Sequence, residues 1–216
     1  MNVTKRSLFV GAALMGVGAL GAGAFLLNGE AAASVATGAR APAFSVTDAS
    51  GATRTLAEFS GRTIVLEWTN HGCPYVRKHY DANNMQTLQR NAAANNIVWL
   101  QVISSRPGAQ GYLDAAGARA RVQTDNAAPA ATLLDPTGVM GRAYGARVSP
   151  QMFIINGDGV IVYQGAIDDR PSARPASLEG ATNYVTAALA DLAAGRAVQT
   201  TDTTPYGCTV KYEGVA

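Results

Sequence analysis

The chain has 216 residues, a formal net charge of +2 and 48% hydrophobic residues. This length suits one domain with a sizeable core and terminal extensions. Because the charge is almost balanced and no basic stripe is interleaved with aromatic residues, the composition excludes a typical nucleic-acid-binding protein, and we expect no nucleic-acid partner.

The N-terminus has the pattern of a bacterial export signal. Lys5 and Arg6 precede an uncharged apolar stretch, residues 8–27, and small residues at 31–36 offer cleavage sites. Residues 1–36 are therefore predicted to be an export signal, by a secretory or twin-arginine-like route, or an uncleaved anchor. In both cases the folded part is expected in the periplasm or cell envelope, with a membrane partner only if the segment is uncleaved.

The apolar patterns then predict strands that alternate with helices, followed by a hairpin and a closing helix. In chain order we expect strands at 44–47, 64–68, 97–103, 132–134, 152–155 and 160–163, and helices at 74–95, 110–121, 139–144 and 178–194. This order predicts an α/β sandwich with a mixed sheet. On the helix from residue 74 we expect a solvated face of Arg77, Lys78, His79, Asp81, Gln86, Gln89 and Arg90.

The strand at 64–68 leads to a candidate redox site. Asn70, His71 and Gly72 break the strand, and Cys73-Pro74 opens the next helix. Proline suits the first helical turn, so Cys73 is expected at the helix mouth, facing free backbone N–H groups that would stabilise a reactive thiolate. This interpretation requires a sulfur that solvent can reach; the alternative is a buried, inert cysteine.

The second cysteine of the chain, Cys208, lies in a polar, turn-rich tail. An exported compartment permits a disulfide, and two cysteines allow one intramolecular pair. Cys208 is therefore the candidate resolving cysteine for Cys73. It could instead be a static staple or pair with another chain.

Three segments carry a resemblance to a known family: 70–80 with its Cys-Pro-Tyr-Val motif, 165–169, and 206–212 with its Tyr-Gly-Cys motif. With a Ser-Pro before the hairpin, they resemble the thioredoxin-like superfamily. More narrowly, they resemble redoxins, which are peroxiredoxin-like proteins related to alkyl hydroperoxide reductases (AhpC/TSA). The implied fold is a thioredoxin-like sandwich, a central mixed sheet flanked by helices, over 37–197, with a tail at 198–216.

The resemblance also implies roles for individual residues. Cys73 takes the attacking position, and Pro150 matches a cis-proline that should pack beside it, preceded by Ser149. Glu67 matches a buried acid that shuttles a proton in thioredoxins; its alternatives are an exposed strand position or a pair with an arginine. The implied activity is that of a thiol-dependent oxidoreductase and antioxidant.

The chain departs from the better-known patterns of this superfamily. Val76 stands where thioredoxins have the resolving cysteine. Asn70 and Leu66 stand where peroxiredoxins have Thr or Ser and Pro, and Ser149-Pro150 replaces their arginine. These departures favour thiol–disulfide exchange, with hydroperoxide reduction as the alternative.

Polar neighbours of Cys73 have candidate supporting roles. An imidazolium at His71 would favour the thiolate, while Asn70 could orient a substrate or the preceding peptide. For His79 we predict a position on the solvated face of the helix. Asp168 and Asp169 are expected to be structural, binding an arginine or capping the next segment.

Two functions without catalysis remain as alternatives. One is a copper-binding module with donors from Cys73, His71, His79 and Cys208; the other is a redox-silent scaffold. The preferred hypothesis, a thiol-dependent oxidoreductase, needs no cofactor or metal. Its partners would be a thiol or disulfide protein or a small hydroperoxide, together with an unidentified reductant.

Overall fold

The computed structural model describes residues 35–214. The predicted export signal or anchor lies almost wholly outside the described residues, and the domain boundaries stay predictions. Within 35–214, no helix combines the length and the apolar character that crossing a bilayer requires.

Nine strands and five α-helices make up this part of the chain. The strands are β1 Ser45–Asp48, β2 Thr53–Thr55, β3 Ile64–Trp68, β4 Val98–Ile103, β5 Ala131–Leu134, β6 Val148–Ser149, β7 Gln151–Ile155, β8 Ile161–Gly165 and β9 Cys208–Thr209. The helices are α1 Pro74–Asp81, α2 Asn84–Ala94, α3 Ala115–Thr124, α4 Val139–Tyr144 and α5 Tyr184–Ala193, with short 3-10 helices at Leu56–Phe59 and Pro175–Leu178.

The main sheet has seven strands in the order β2-β1-β5-β4-β3-β7-β8. Strand β3 is central: it runs parallel to β4 and antiparallel to β7, so that Leu66 lies between Leu100 and Phe153. Strands β6 and β9 form a separate antiparallel pair. The predicted central mixed sheet is therefore present.

Because side chains alternate across a strand, β3 supplies both layers of the core. Leu66 and Trp68 pack with α4 and with Tyr212 of the tail. Val65 faces the opposite side, in a cluster that also contains Cys73. All five residues of β3 are buried, as expected for a strand covered on both faces.

Three predicted helices have different limits in the structure. The helix expected at 74–95 is broken at Asn83, whose φ of 56° lies in the left-handed region that asparagine tolerates. Helix α3 begins only at Ala115, because the Asp114 side chain accepts a hydrogen bond from the Gly117 N–H (2.7 Å) and caps it there. The Asn183 side chain caps α5 in the same way (2.9 Å).

The solvated face expected on α1 and α2 is wrong for four of its residues. Lys78, His79, Gln86 and Gln89 are all buried. Several of their polar atoms find partners on other elements: Gln86 donates to the Asp125 carbonyl (2.7 Å) and Gln89 to Glu67 (3.1 Å). Two of them, Gln86 Oε1 and His79 Nε2, have no hydrogen-bond partner among the described residues. Polar side chains can be buried where such partners satisfy them.

Candidate active site

A tight turn sets the position of Cys73. The Asn70 side chain accepts a hydrogen bond from the Gly72 N–H (2.9 Å), and the Asn70 carbonyl accepts from the Cys73 N–H (3.0 Å). Pro74 then begins α1, and Cys73 is the N-cap residue. Asn70 therefore holds the turn before the cysteine.

The orientation of the Cys73 side chain corrects two expectations. The sulfur makes no hydrogen bond to the N–H groups of the first turn of α1. It points instead to the Ser149 carbonyl, to which the thiol donates at 3.1 Å. Cys73 is 0% exposed, so the sulfur that was expected to be open to solvent is covered in this conformation.

The loop before β7 brings the tail to this sulfur. The Ser149–Pro150 bond is cis, as the resemblance implies. Ser149 pairs with Cys208 across β6 and β9, and its hydroxyl donates to the Cys208 carbonyl (3.3 Å). Two cysteines far apart in the sequence are thus brought to the same point.

Both cysteines are free thiols that lie against Ser149, Cys73 through the bond to its carbonyl and Cys208 as its partner across β6 and β9. The pKa of the Cys208 thiol is raised to about 12, first by burial and then by the neighbouring Cys73. Cys208 therefore keeps its proton at neutral pH. It is the more exposed of the two cysteines, because the Cys73 side chain has no accessible surface.

Gly207 allows the tail to approach this closely. Its φ is 142°, and a Cβ at this position would overlap the Ser149 carbonyl oxygen. Replacing it with alanine, Gly207→Ala, is therefore expected to push Cys208 away from Cys73 and to slow disulfide formation at least about tenfold. The measurement is the rate of pairing under a mild oxidant, followed by acid quenching and mass analysis.

Gly214 provides the matched control for this change. It also has a positive φ, 75°, but a Cβ there would meet no atom within 4 Å. Gly214→Ala should therefore form the disulfide at the wild-type rate. Equal rates in the two variants would contradict the packing described for Gly207.

Glu67 is neither exposed nor paired with an arginine. It is fully buried and accepts hydrogen bonds from Tyr80 (2.6 Å), Trp99 (2.8 Å) and Gln89 (3.1 Å). Burial raises its pKa from 4.5 to about 7, although these hydrogen bonds oppose the shift. None of these partners is Cys73 or Cys208, so a proton path from Glu67 to the cysteines would need further groups.

Glu67→Gln is expected to remove a pH-dependent part of the free energy of unfolding. Between the ordinary pKa of 4.5 and about 7, the folded protein holds a proton that the unfolded chain releases. Stability therefore falls as pH rises through this window, by about 3 kcal/mol. Urea unfolding of both proteins across this range measures the change.

The test is whether the difference in the free energy of unfolding between the two proteins changes with pH. Its size at any one pH is not informative. The glutamine amide would face the N–H donors of Trp99 and Gln89, which adds a loss that does not depend on pH. A difference that stays constant across the window would show that Glu67 does not carry a raised pKa.

His71 lies beside a small cavity of about 20 Å³ that Tyr80 and Gln101 also line. Its pKa is lowered, first by burial and then by Arg121. The ring is therefore neutral at pH 7, which argues against an imidazolium that favours the thiolate. The cavity is large enough for about one water molecule.

A buried polar cluster next to the site was not expected from the sequence. Asp168 pairs with Lys78 (3.3 Å) and accepts a hydrogen bond from the Tyr206 hydroxyl, while His79 Nε2 lies 3.7 Å away. Asp169 accepts from the Thr182 N–H (3.0 Å). Both aspartates have structural contacts: Asp168 binds a lysine, and the expected arginine contact is present at Asp169, which pairs with Arg170 (3.3 Å). The opposite charges of Lys78 and Asp168 are the one feature of the sequence that could have indicated this buried cluster.

The four candidate copper donors do not all converge. Cys73 and Cys208 meet at Ser149, but His79 faces Asp168. Within 35–214, no group of three or more His, Cys, Asp or Glu residues is arranged to hold a metal ion.

The geometry can be compared with known proteins. The Redoxin family model matches residues 36–181, a segment that contains Cys73 and Pro150 but ends before Cys208. No curated protein sequence matches the chain.

Solved structures with similar folds include three of bacterial proteins. A hypothetical protein from Sinorhizobium meliloti 1021 has a TM-score of 0.71 and 25% identity, covering 85% of this chain and 98% of the other. An uncharacterized conserved protein from Geobacillus kaustophilus has a TM-score of 0.72 and 23% identity, covering 84% and 94%. The proposed thiol:disulfide interchange protein DsbE from Chlorobium tepidum has a TM-score of 0.50 and 21% identity, covering 61% and 85%. These likenesses confirm the thioredoxin-like fold.

Proposed function

Because this chain belongs to the Redoxin family, we propose that it is a thiol–disulfide oxidoreductase in which Cys73 is the nucleophile and Cys208 the resolving cysteine. Family membership supports thiol-dependent oxidoreductase chemistry in general. The observation that carries the finer proposal is the convergence of the two free thiols on Ser149, where α1 begins beside the cis-proline loop.

The proposed reaction has two steps. The Cys73 thiolate attacks one sulfur of a substrate disulfide, forming a mixed disulfide and releasing the first substrate thiolate. The Cys208 thiolate then attacks the Cys73 sulfur, forming the Cys73–Cys208 disulfide and releasing the second. The substrate is reduced to a dithiol and takes up the two protons of the cysteine thiols. An external dithiol reductant then reduces the Cys73–Cys208 disulfide again.

The ionisation of Cys208 fits the second step. Besides burial, the neighbouring Cys73 raises the pKa of Cys208. Once Cys73 is part of a mixed disulfide it can no longer ionise, so a charge on it no longer opposes the ionisation of Cys208. Cys208 is then easier to ionise at the moment when it has to attack.

Glu67 is proposed as a proton relay. Its carboxyl pKa near 7 suits proton exchange at neutral pH. Tyr80, which donates a hydrogen bond to Glu67, also lines the cavity beside His71, two positions before Cys73. A relay through this cavity would connect Glu67 with the cysteine turn.

Reduction of small hydroperoxides is the second candidate. The full burial of Cys73 favours it, because a small molecule needs less opening than a protein substrate. The Cys73 thiolate would attack a peroxide oxygen and, with one proton taken up from solvent, give a sulfenic acid and an alcohol. Cys208 would then attack this sulfur, with loss of water, to give the same disulfide.

Stopped-flow mixing of the reduced protein with a small disulfide, and separately with a hydroperoxide, tests the proposal. We expect the Cys73–Cys208 disulfide as the product, with faster turnover of the disulfide. Faster turnover of the hydroperoxide would favour the second candidate, and turnover of neither would refute both.

Export to the periplasm or cell envelope is part of the proposal. It is supported by Lys5, Arg6 and the apolar stretch at 8–27. A disulfide-forming pair also suits an oxidising compartment.

A further inference from the structure

Lys78 and Asp168 form a buried ion pair to which the chemistry above gives no role. Their side chains are 0% and 1% exposed, and Lys78 Nζ lies 3.3 Å from Asp168. Lys78 also donates to the Arg170 carbonyl (2.7 Å). His79, the other basic group at Asp168, is neutral at pH 7 because burial lowers its pKa to about 4.

A buried ion pair contributes little net stability, because removing both charges from water costs about as much as their attraction returns. Such a pair is better explained by the group that it holds in place. Here that group is Tyr206 of the tail, whose hydroxyl donates to Asp168.

Tyr206 is tied to α1 by further contacts. Lys78 Nζ lies over its ring, 5.0 Å from the centroid. The ring also meets Tyr75 edge-on, at a centroid distance of 5.7 Å. Because Lys78 and Tyr75 both belong to α1, these contacts join the tail to the helix that begins directly after Cys73.

Tyr206 lies two residues before Cys208, so its position determines where the resolving thiol sits. On the other side of Cys208, the Tyr212 hydroxyl donates to the Ala146 carbonyl (2.7 Å). The segment with Cys208 is therefore held on both sides, and Tyr206 and Cys208 both pack against the cluster that contains Cys73.

We propose that Lys78, Asp168 and Tyr206 act together as an anchor that holds the tail over Cys73 and Cys208 against it. In this role they are positioning residues, and the proposal rests on the function proposed above. Since Cys73 has no exposed surface, outside reagents reach it only when the tail moves. The anchor therefore sets both the access to Cys73 and the effective concentration of Cys208.

The test weakens the anchor with one conservative change. Tyr206→Phe removes the hydroxyl but keeps the ring on Lys78 and Tyr75. In a Cys208→Ser background, it should raise the rate of Cys73 alkylation by iodoacetamide about tenfold, the effect expected for losing one hydrogen bond to a charged group. In the two-cysteine protein, equilibration with glutathione should show an effective concentration of Cys208 that is lower by a similar factor.

Tyr144→Phe is the matched control. This substitution also removes a tyrosine hydroxyl, which donates to the Pro42 carbonyl (2.7 Å). Tyr144, however, lies in the core cluster that does not contain Cys73. Alkylation and glutathione equilibrium should both stay at the wild-type values. A second anchor variant, Asp168→Asn, should shift both readouts in the same direction as Tyr206→Phe.

The proposal is overturned if folded Tyr206→Phe matches wild type in both measurements, or if Tyr144→Phe changes them equally. These outcomes are distinct from failure of the proposed function. If the alkylation rates respond as expected but the wild type reduces neither disulfides nor hydroperoxides, the anchor is supported and the oxidoreductase proposal fails.

Discussion

Cys73→Ser is expected to abolish the reduction of disulfides and hydroperoxides, with a loss of at least about a thousandfold, as when the nucleophile of a covalent mechanism is removed. A serine hydroxyl is not ionised at neutral pH and cannot form a disulfide. The variant should still fold, because the Ser149 carbonyl that accepts from the Cys73 thiol can accept from a hydroxyl. Stopped-flow turnover with each substrate measures the effect.

The fold of this variant is checked by its urea unfolding midpoint, which should stay close to that of wild type. Undiminished turnover in the folded variant would mean that Cys73 is not the nucleophile. Cys208 would then have to carry the chemistry alone.

Cys208→Ser is expected to stop the reaction after its first step. Cys73 can still attack, so one equivalent of a mixed disulfide should accumulate on it, but no neighbouring thiol resolves this intermediate. Repeated turnover should fall at least about a hundredfold, since a second thiol held near Cys73 replaces attack by a thiol from solution. Intact mass analysis after reaction with a small disulfide detects the trapped adduct.

Thr209→Ser, at the exposed neighbouring position of β9, is the control and should turn over normally. If Cys208→Ser turns over at the wild-type rate, Cys208 is not the resolving cysteine. It would then be a structural thiol in the tail.

The central part of the fold could be predicted because its signals are local. Ile64–Trp68 and Val98–Ile103 are short apolar runs that fit buried strands, and Pro74 marks a helix start. The break of the predicted 74–95 helix at Asn83 could not be predicted. Asparagine is compatible both with a helix and with the left-handed conformation that it adopts here.

The polar residues of α1 could not be placed from local sequence. Lys78 and His79 have the composition of a solvated face, and only long-range contacts with Asp168 and Tyr206 make their burial tolerable. The same limit applied to Glu67, whose partners come from α1, α2 and β4.

The Cys73-Pro74 helix start and the cysteine count indicated Cys73 and Cys208 as candidates, but the sequence favoured a sulfur that solvent can reach. The pairing of the tail with Ser149 and the burial of Cys73 both depend on how distant segments pack. Gly207, which permits this approach, belongs to the Tyr-Gly-Cys motif, but the motif does not show which backbone segment it approaches.

Disulfide mapping tests the central claim most directly. The purified protein is oxidised mildly, blocked with an alkylating agent, digested and analysed by mass spectrometry, with a fully reduced sample alongside. We expect one linkage, between the peptides that contain Cys73 and Cys208, in monomeric protein and reversed by a dithiol. Two alkylated cysteines after oxidation, or a linkage found only between two copies of the chain, would contradict the account.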